Sequence, residues 1–350
     1  MSQDNPPVVL DVDDETTLAR KLEVLRSSLM DYRVENGRTY HRYKDGKYAF
    51  PNDDRELDRL ASLDLQHEMW LLILDDRLGV APPCKEGAQV GRVLDVGTGT
   101  GIWALNFGDE HTEAEIPRNP WVYGVDLSPT LPGYVPPNVK FEIDDVEEEW
   151  TWSRPFDFIH SRVMTASISN WETYLRQCYN NLVPGGWIEL QEFDITPQSD
   201  DGTLTEDSTL LKWNKLLKSA SETLGRSYIS PPLLKNILSE IGFVDVSLSA
   251  YKCPMNSWPK DRKYKELGVI ACECMLAGAE GFTMASLTRA FDWTPEEVNV
   301  LLVDVRNEIK NKNTHAYTLW YCITGKKPDK EPTPAPPAAP SPSEPATDQP

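Results

Sequence analysis

The sequence predicts an α/β fold: a mostly parallel sheet with helices on both faces. Three observations carry this reading. An apolar run from Gln89 to Val96 leads into an alternating glycine turn, Gly97-Thr98-Gly99-Thr100-Gly101, and then into a helical pattern from Ile102. A second apolar run, Trp121 to Val125, ends in an acid, Asp126. A turn of Pro184-Gly185-Gly186 opens a third, Trp187 to Gln191. Short apolar strands alternating with helical segments are the pattern of a sheet buried on both faces.

Composition narrows the class. A chain of 350 residues makes one large domain or two small ones. No apolar run reaches the length of a membrane span, and Met1 to Pro7 has no basic stretch followed by an apolar core. With six cysteines and no C-x-x-C pair, the expected location is cytoplasmic. Cys272-Glu273-Cys274 reads as two thiols on an apolar helix, and no metal site is expected. The formal charge of −20 opposes binding to nucleic acid or anionic lipid and leaves basic protein partners open.

The glycine turn is the richest motif. Glycine adopts backbone angles other residues resist and lets a ligand lie against the main chain. The helix that follows aims unpaired N–H groups at such a ligand. A dinucleotide fingerprint needs G-x-G-x-x-G; here Gly101 comes one residue early and Ile102 takes the third position. A phosphate loop needs Gly-Lys-Ser/Thr, which is missing. What stands is D-x-G-x-G-x-G, led by Asp95. An acid at Asp126, at the end of the next strand, is placed to receive ribose hydroxyls.

This arrangement resembles the first motif of the class I S-adenosylmethionine (SAM) methyltransferases. The resemblance extends to a third strand, Val139 to Ile143, ending in Asp144-Asp145, to a fourth, Phe156 to Arg162, and to the Pro184-Gly185-Gly186 turn before a fifth. It implies a Rossmann-like, seven-stranded, mostly parallel sheet, with SAM as cofactor. It also implies that Asp95, Gly97, Thr98, Gly99 and Gly101 curl round the methionine part, Asp126 and Leu127 meet the ribose, and Asp144 or Asp145 meets the adenine amino group. The fourth strand then ends at the transferred methyl.

A narrower resemblance lies upstream. Glu35-Asn36-Gly37-Arg38-Thr39-Tyr40-His41, Tyr48 and Pro51-Asn52-Asp53, followed by an acidic, leucine-bearing helix, are similar to the N-terminal region of the LaeA-like fungal methyltransferases. The similarity runs from about Glu35 to Thr324. It makes Tyr40, His41 and Tyr48 candidates for a lid over the cofactor pocket.

In chain order, residues 1–15 read as a flexible start and 16–82 as a helical lid. Within the lid one helix covers 16–34, with Leu18, Leu22, Leu25 and Leu29 on one face. A second, capped by Asn52 or Asp53, uses Leu57, Leu60, Leu65 and Leu72. The methyltransferase domain spans 83–327. Gly108 to Asn119 reads as a loop, and Glu147 to Glu149 as surface. Trp171 to Leu182 is a helix facing inward through Trp171, Tyr174, Leu175 and Tyr179. Further helices cover 210–224 and 233–241, with Gly242 as the stop. Strands follow at 243–250 and 315–324, and the resemblance implies that the last inserts antiparallel between the fifth and sixth. Between them lies a helical insertion, 251–314, with helices near 264–277, 284–290 and 295–310. The Pro-rich stretch 328–350 has too little apolar content for a core and reads as a disordered tail.

Methyl transfer is an in-line displacement from a cationic sulfur, so the leaving group needs no acid. A base is needed only for a protonated or weakly ionised acceptor. His160, at the end of the fourth strand, is the catalytic candidate; the alternative is a histidine hydrogen-bonded beneath the cofactor. Arg162 can hold an acceptor carboxylate or salt-bridge to a core acid. Gln191 and Glu192 end the fifth strand within reach of the pocket. The function expected is methyl transfer to an O, N or C atom of a small molecule in fungal secondary metabolism. The alternative is a LaeA-like nuclear regulator acting with velvet-type protein partners.

Overall fold

The computed structural model describes residues 32–35, 38–41, 54–111, 121–127 and 134–329. A seven-stranded sheet forms the centre. Its strands are β3 (Arg92–Val96), β4 (Trp121–Asp126), β5 (Val139–Ile143), β6 (Phe156–Arg162), β7 (Leu182–Gln198), β8 (Val244–Pro254) and β9 (Tyr317–Lys326). Their spatial order is β5-β4-β3-β6-β7-β9-β8. β3 pairs in parallel with β4 and β6, β4 with β5, and β6 with β7. β9 runs antiparallel between β7 and β8, as the resemblance implies. The order reverses at β3, with β4 on one side and β6 on the other. In open α/β sheets that is where ligands sit, beyond the C-terminal strand ends.

Helices cover both faces. α2 (Ile102–Glu110) packs Trp103, Ala104 and Phe107 against Val93, Val122 and Phe158. On the other face, α3 (Trp171–Asn180) buries Trp171, Tyr174, Leu175 and Cys178. There it meets Leu234 and Leu238 of α5 (Pro231–Ile241) and the strands beneath, including Ile159 and Ile188. The signals that set these helices are local. Asn170 accepts from the Thr173 N–H at 3.0 Å at the start of α3. Pro231 opens α5, and Gly242 closes it in the left-handed region.

A second layer roofs the C-terminal strand ends. It consists of α1 (Asp54–Ile73), α4 (Thr209–Thr223), α6 (Arg262–Phe291) and α7 (Pro295–Ile309). α1 is anchored by Trp70, fully buried and 4.7 Å from the Trp320 ring, together with Met69, Ile73 and Leu74. Burying a side chain of this size stabilises by about 1.5–3 kcal/mol. Of the leucine positions read from the sequence, Leu72 packs against this cluster, Leu65 is 40% exposed, and the side chains of Leu57 and Leu60 lie outside the described residues. α6 presents Leu267 and Ala271 to α1. Further along it presents Ala279, Met284 and Leu287 to α4 and α7.

Several expectations are corrected. α6 is one continuous helix, where the sequence suggested two. By length and composition it is apolar enough to cross a bilayer, although no such run was expected; 44% of its most apolar stretch is buried. Tyr32–Glu35 is a strand, β1, paired antiparallel with β2 (Arg38–His41), so the helix expected up to Val34 does not hold there. Its earlier part lies outside the described residues, as do Asn52 and Asp53, the side chains of Tyr40 and His41, all of Tyr48 and the tail from residue 330. Helix α2 continues to Glu110, into the segment read as a loop.

Candidate functional site

The sheet explains the site. Asp95 sits near the end of β3 in register with His160 of β6, and Asp126 ends β4. The turn after β3 folds back on itself: the N–H groups of Gly97 and Thr98 both donate to the Val125 carbonyl, at 2.8 and 3.1 Å. Gly97 has φ +68°, and a Cβ there would lie 2.2 Å from Met164 Sδ. Gly101 has φ +80°, and its Cβ would lie 2.5 Å from the Phe141 ring. A side chain at either position meets both a strained backbone and an occupied space. The turn is a backbone cradle that only glycine builds at these points.

The acids hold this cradle. Asp126 Oδ2 accepts from the Gly99 N–H at 2.9 Å. Asp95 Oδ2 accepts from Thr98 Oγ1 at 2.6 Å, and Asp95 Oδ1 lies 2.7 Å from His160 Nδ1. His160 is fully buried and stacks on Trp103, ring centroids 3.7 Å apart and nearly parallel. The chain Thr98–Asp95–His160–Trp103 therefore runs beneath the glycine turn. At the end of β5 the two acids separate: Asp144 is exposed at the rim, while Asp145 is buried and accepts from the Glu147 N–H at 3.1 Å.

A cavity of about 300 Å³ opens from this cradle. One end is bounded by Gly97 to Thr100, Asp126, Leu127, Asp144 and Asp145. The other end is an apolar chamber under the roof, with Phe193, Trp213, Tyr228, Met255, Phe282 and Trp320 among its walls. Between the two stand His160, Arg162 and the turn Val163 to Thr165. Val163 and Ala166 have φ of +55° and +60°, a conformation costly for a β-branched residue. The turn is held from below by Glu192, whose carboxyl oxygens accept from Met164 N–H at 2.7 Å and Thr165 N–H at 3.2 Å. Burial pushes the Glu192 carboxyl up to about 8.

Of the core residues chosen from the sequence, Asp95, Gly97, Thr98, Gly99, Asp126, Leu127, Asp144, Asp145 and His160 line this cavity, whereas Gly101 does not and packs behind the cradle against the Phe141 ring. Gln191 and Glu192 do not line it: both are fully buried and act on the residues that do. Among the aromatics of the roof segments, Trp213, Tyr228 and Phe282 line it. Trp258 instead stacks on His315, and Tyr264 is 43% exposed. Glu147, expected at the surface, pairs with Arg226 at 2.7 Å at the cavity wall. Sequence reasoning missed Met164, Trp103, Arg226 and His67. Trp103 was within reach, since it follows the glycine turn on the first turn of α2. His67 and Arg226 arrive from distant segments, with no local pattern to mark them.

A sequence model of the methyltransferase domain family matches residues 65–248. The chain is 43% identical over 304 residues to the methyltransferase pytC of Aspergillus terreus, covering 87% of this chain and 90% of that protein. It is 35% identical over 301 residues to the secondary metabolism regulator LAE1 of Cochliobolus heterostrophus, covering 85% and 95%. It is 34% identical over 275 residues to the probable methyltransferase tdiE of Emericella nidulans, covering 79% and 83%.

Proposed function

The chain belongs to the methyltransferase-domain family, and from that premise we propose that it methylates a small molecule of fungal secondary metabolism, using SAM, at an O, N or C atom. The observation that carries this is the single cavity joining the glycine cradle to an apolar chamber under the roof. One end suits the cofactor and the other an acceptor of modest size.

The residues fit SAM. The Gly97–Gly101 turn would take its methionine part, Asp126 its ribose hydroxyls, and Asp144 its adenine amino group, with Leu127 and Val146 against the flat base. When bound, it supplies an electrophilic methyl on a cationic sulfur. The chain's own work is alignment and exclusion of water. The roof from α1, α4 and α6 excludes water. The strained turn Val163–Thr165, braced by Glu192, sets the wall between cofactor and acceptor. His160 positions the turn, with its Nδ1 engaged by Asp95 and its ring stacked on Trp103, and its Nε2, buried without a partner among the described residues, is the atom that would take a proton from an acceptor that needs a base. As an enzyme of small-molecule chemistry, the protein works in the cytoplasm.

A second reading rests on the likeness to the regulator LAE1 across 95% of that protein. It would place the chain in the nucleus with velvet-type partners and a protein as methyl acceptor. Incubation with methyl-labelled SAM and separate extracts of metabolites and proteins separates the two. Label in the metabolite fraction supports the pathway enzyme; label confined to proteins supports the regulator.

A further inference from the structure

Arg162 ends β6 at the junction of cradle and chamber, and its side chain lines the cavity. A guanidinium carries five N–H donors. Here Nε donates to Gln191 Oε1 at 2.8 Å and Nη1 to His67 Nδ1 at 2.9 Å. Nη2 is buried with no hydrogen-bond partner among the described residues. Neither bonded partner is an anion. Burial and the Arg162 charge itself push His67 down to about 3, so it is neutral and accepts through Nδ1. The Arg162 guanidinium also lies 5.6 Å from the Trp70 ring.

The carboxylates in its field are Asp95 and Glu189. Asp95 is engaged by His160 and Thr98. Glu189 is fully buried and accepts from the N–H groups of Val80 and Ala81 and from Gln191 Nε2. Among the described residues, neither forms an ion pair with Arg162. A buried cation without a paired anion is costly. This one faces a chamber walled largely by aliphatic, aromatic and sulfur-bearing side chains, Cys253, Met255, Cys274 and Met275 among them, with Gln66, Asn214 and Thr318 as polar members and the Glu147–Arg226 pair at the wall.

We propose that Arg162 is the seat of an anionic oxygen on the methyl acceptor, so that the chamber selects apolar organic acids. This rests on the methyltransferase reading of the cavity. Arg162 offers the planar, multi-donor face that suits a carboxylate, and the apolar walls take the carbon skeleton. An acceptor that arrives ionised needs no general base. That matches a chamber in which both ring nitrogens of His67 are bonded, one to Arg162 and one to Asn106.

The test uses the full chain saturated with S-adenosylhomocysteine, titrated calorimetrically with 2-naphthoate and with its neutral counterpart 2-naphthamide. The acid should bind at one site at least tenfold more tightly than the amide. Arg162→Gln should weaken the acid at least tenfold and leave the amide and S-adenosylhomocysteine unchanged. Arg162→Lys should recover part of the acid affinity, which separates lost charge from lost fold. Equal affinity for acid and amide, or no binding of the acid, overturns the proposal. So does a tenfold loss of S-adenosylhomocysteine affinity in Arg162→Gln, which would assign Arg162 to the cofactor's own carboxylate. Failure of the unsubstituted chain to bind S-adenosylhomocysteine would overturn the cofactor reading, and this proposal with it.

Discussion

His160 Nδ1 lies 2.7 Å from Asp95 Oδ1, and the two residues face each other in register on β6 and β3. Both are sealed from solvent, and Asp95 passes the contact on to Thr98 in the glycine turn. Replacing His160 with Asn should therefore act through the turn. Leaving Asp95 with a poorer partner costs about 1–3 kcal/mol of stability, and SAM affinity should fall with it. Denaturant titration and calorimetry check both. If stability and affinity hold while methyl transfer drops by about 10²-fold or more, His160 is a base after all.

Glu192 gives the site a pH signature. Its carboxyl is pushed from 4.5 to about 8 by burial. Between those values the folded protein holds a proton that the unfolded chain has released. This contribution to stability is full below about 4.5 and is lost as pH rises through about 8. Glu192→Gln should shrink the fall in unfolding free energy between pH 6 and pH 9. An unchanged fall in the variant would show that Glu192 does not titrate in that window.

Gly97 and Met164 are fitted to each other. Gly97→Ala places a methyl 2.2 Å from the Met164 sulfur on a backbone at φ +68°. A loss of more than about 1 kcal/mol is expected, together with weakened SAM binding. Adding Met164→Ala should recover only part of it, because it relieves the contact and not the backbone. Full recovery in the double variant would mean that the backbone angle carries no strain.

Arg289 near the end of α6 pairs with Glu35 of β1 at 2.9 Å, linking the N-terminal hairpin to the roof. Such a partly exposed pair is worth about 0–1 kcal/mol, so Arg289→Ala should barely change the melting temperature. Amide exchange across residues 32–41 should nevertheless accelerate, as read by mass spectrometry. Identical exchange in the variant would show that the ion pair does not hold the hairpin.

The parallel half of the sheet was legible because β3 to β6 are short and largely apolar, and β3 and β4 end at Gly97 and Asp126. The cofactor end was legible for the same reason: its parts are consecutive residues at strand ends. The roof was not. Gly278 and Gly281 fall between the two helices read from the sequence, yet both are buried and one helix runs through them. At Gly268 a Cβ would lie 2.1 Å from the Asn256 carbonyl, so this glycine allows close packing and marks no end. The hairpin β1–β2 did have a signal, Asn36-Gly37 between its strands, a pair typical of tight hairpins. The leucine spacing before it outweighed that signal. The meeting of Arg162 with His67, 95 residues apart, is a product of tertiary packing alone.

The central claim is that the cradle of Gly97 to Gly101 and Asp126 holds SAM. Calorimetric titration of the full chain with SAM, beside Asp126→Ala, tests it most directly. The variant loses the Gly99 N–H partner and the acceptor for the ribose hydroxyls, and charge-assisted hydrogen bonds contribute about 1.5–3 kcal/mol each. The account predicts one SAM per chain, at least tenfold weaker binding in Asp126→Ala with the fold retained, and no heat with NAD or ATP. No SAM binding by the unsubstituted chain, or equal affinity in the variant, would contradict it.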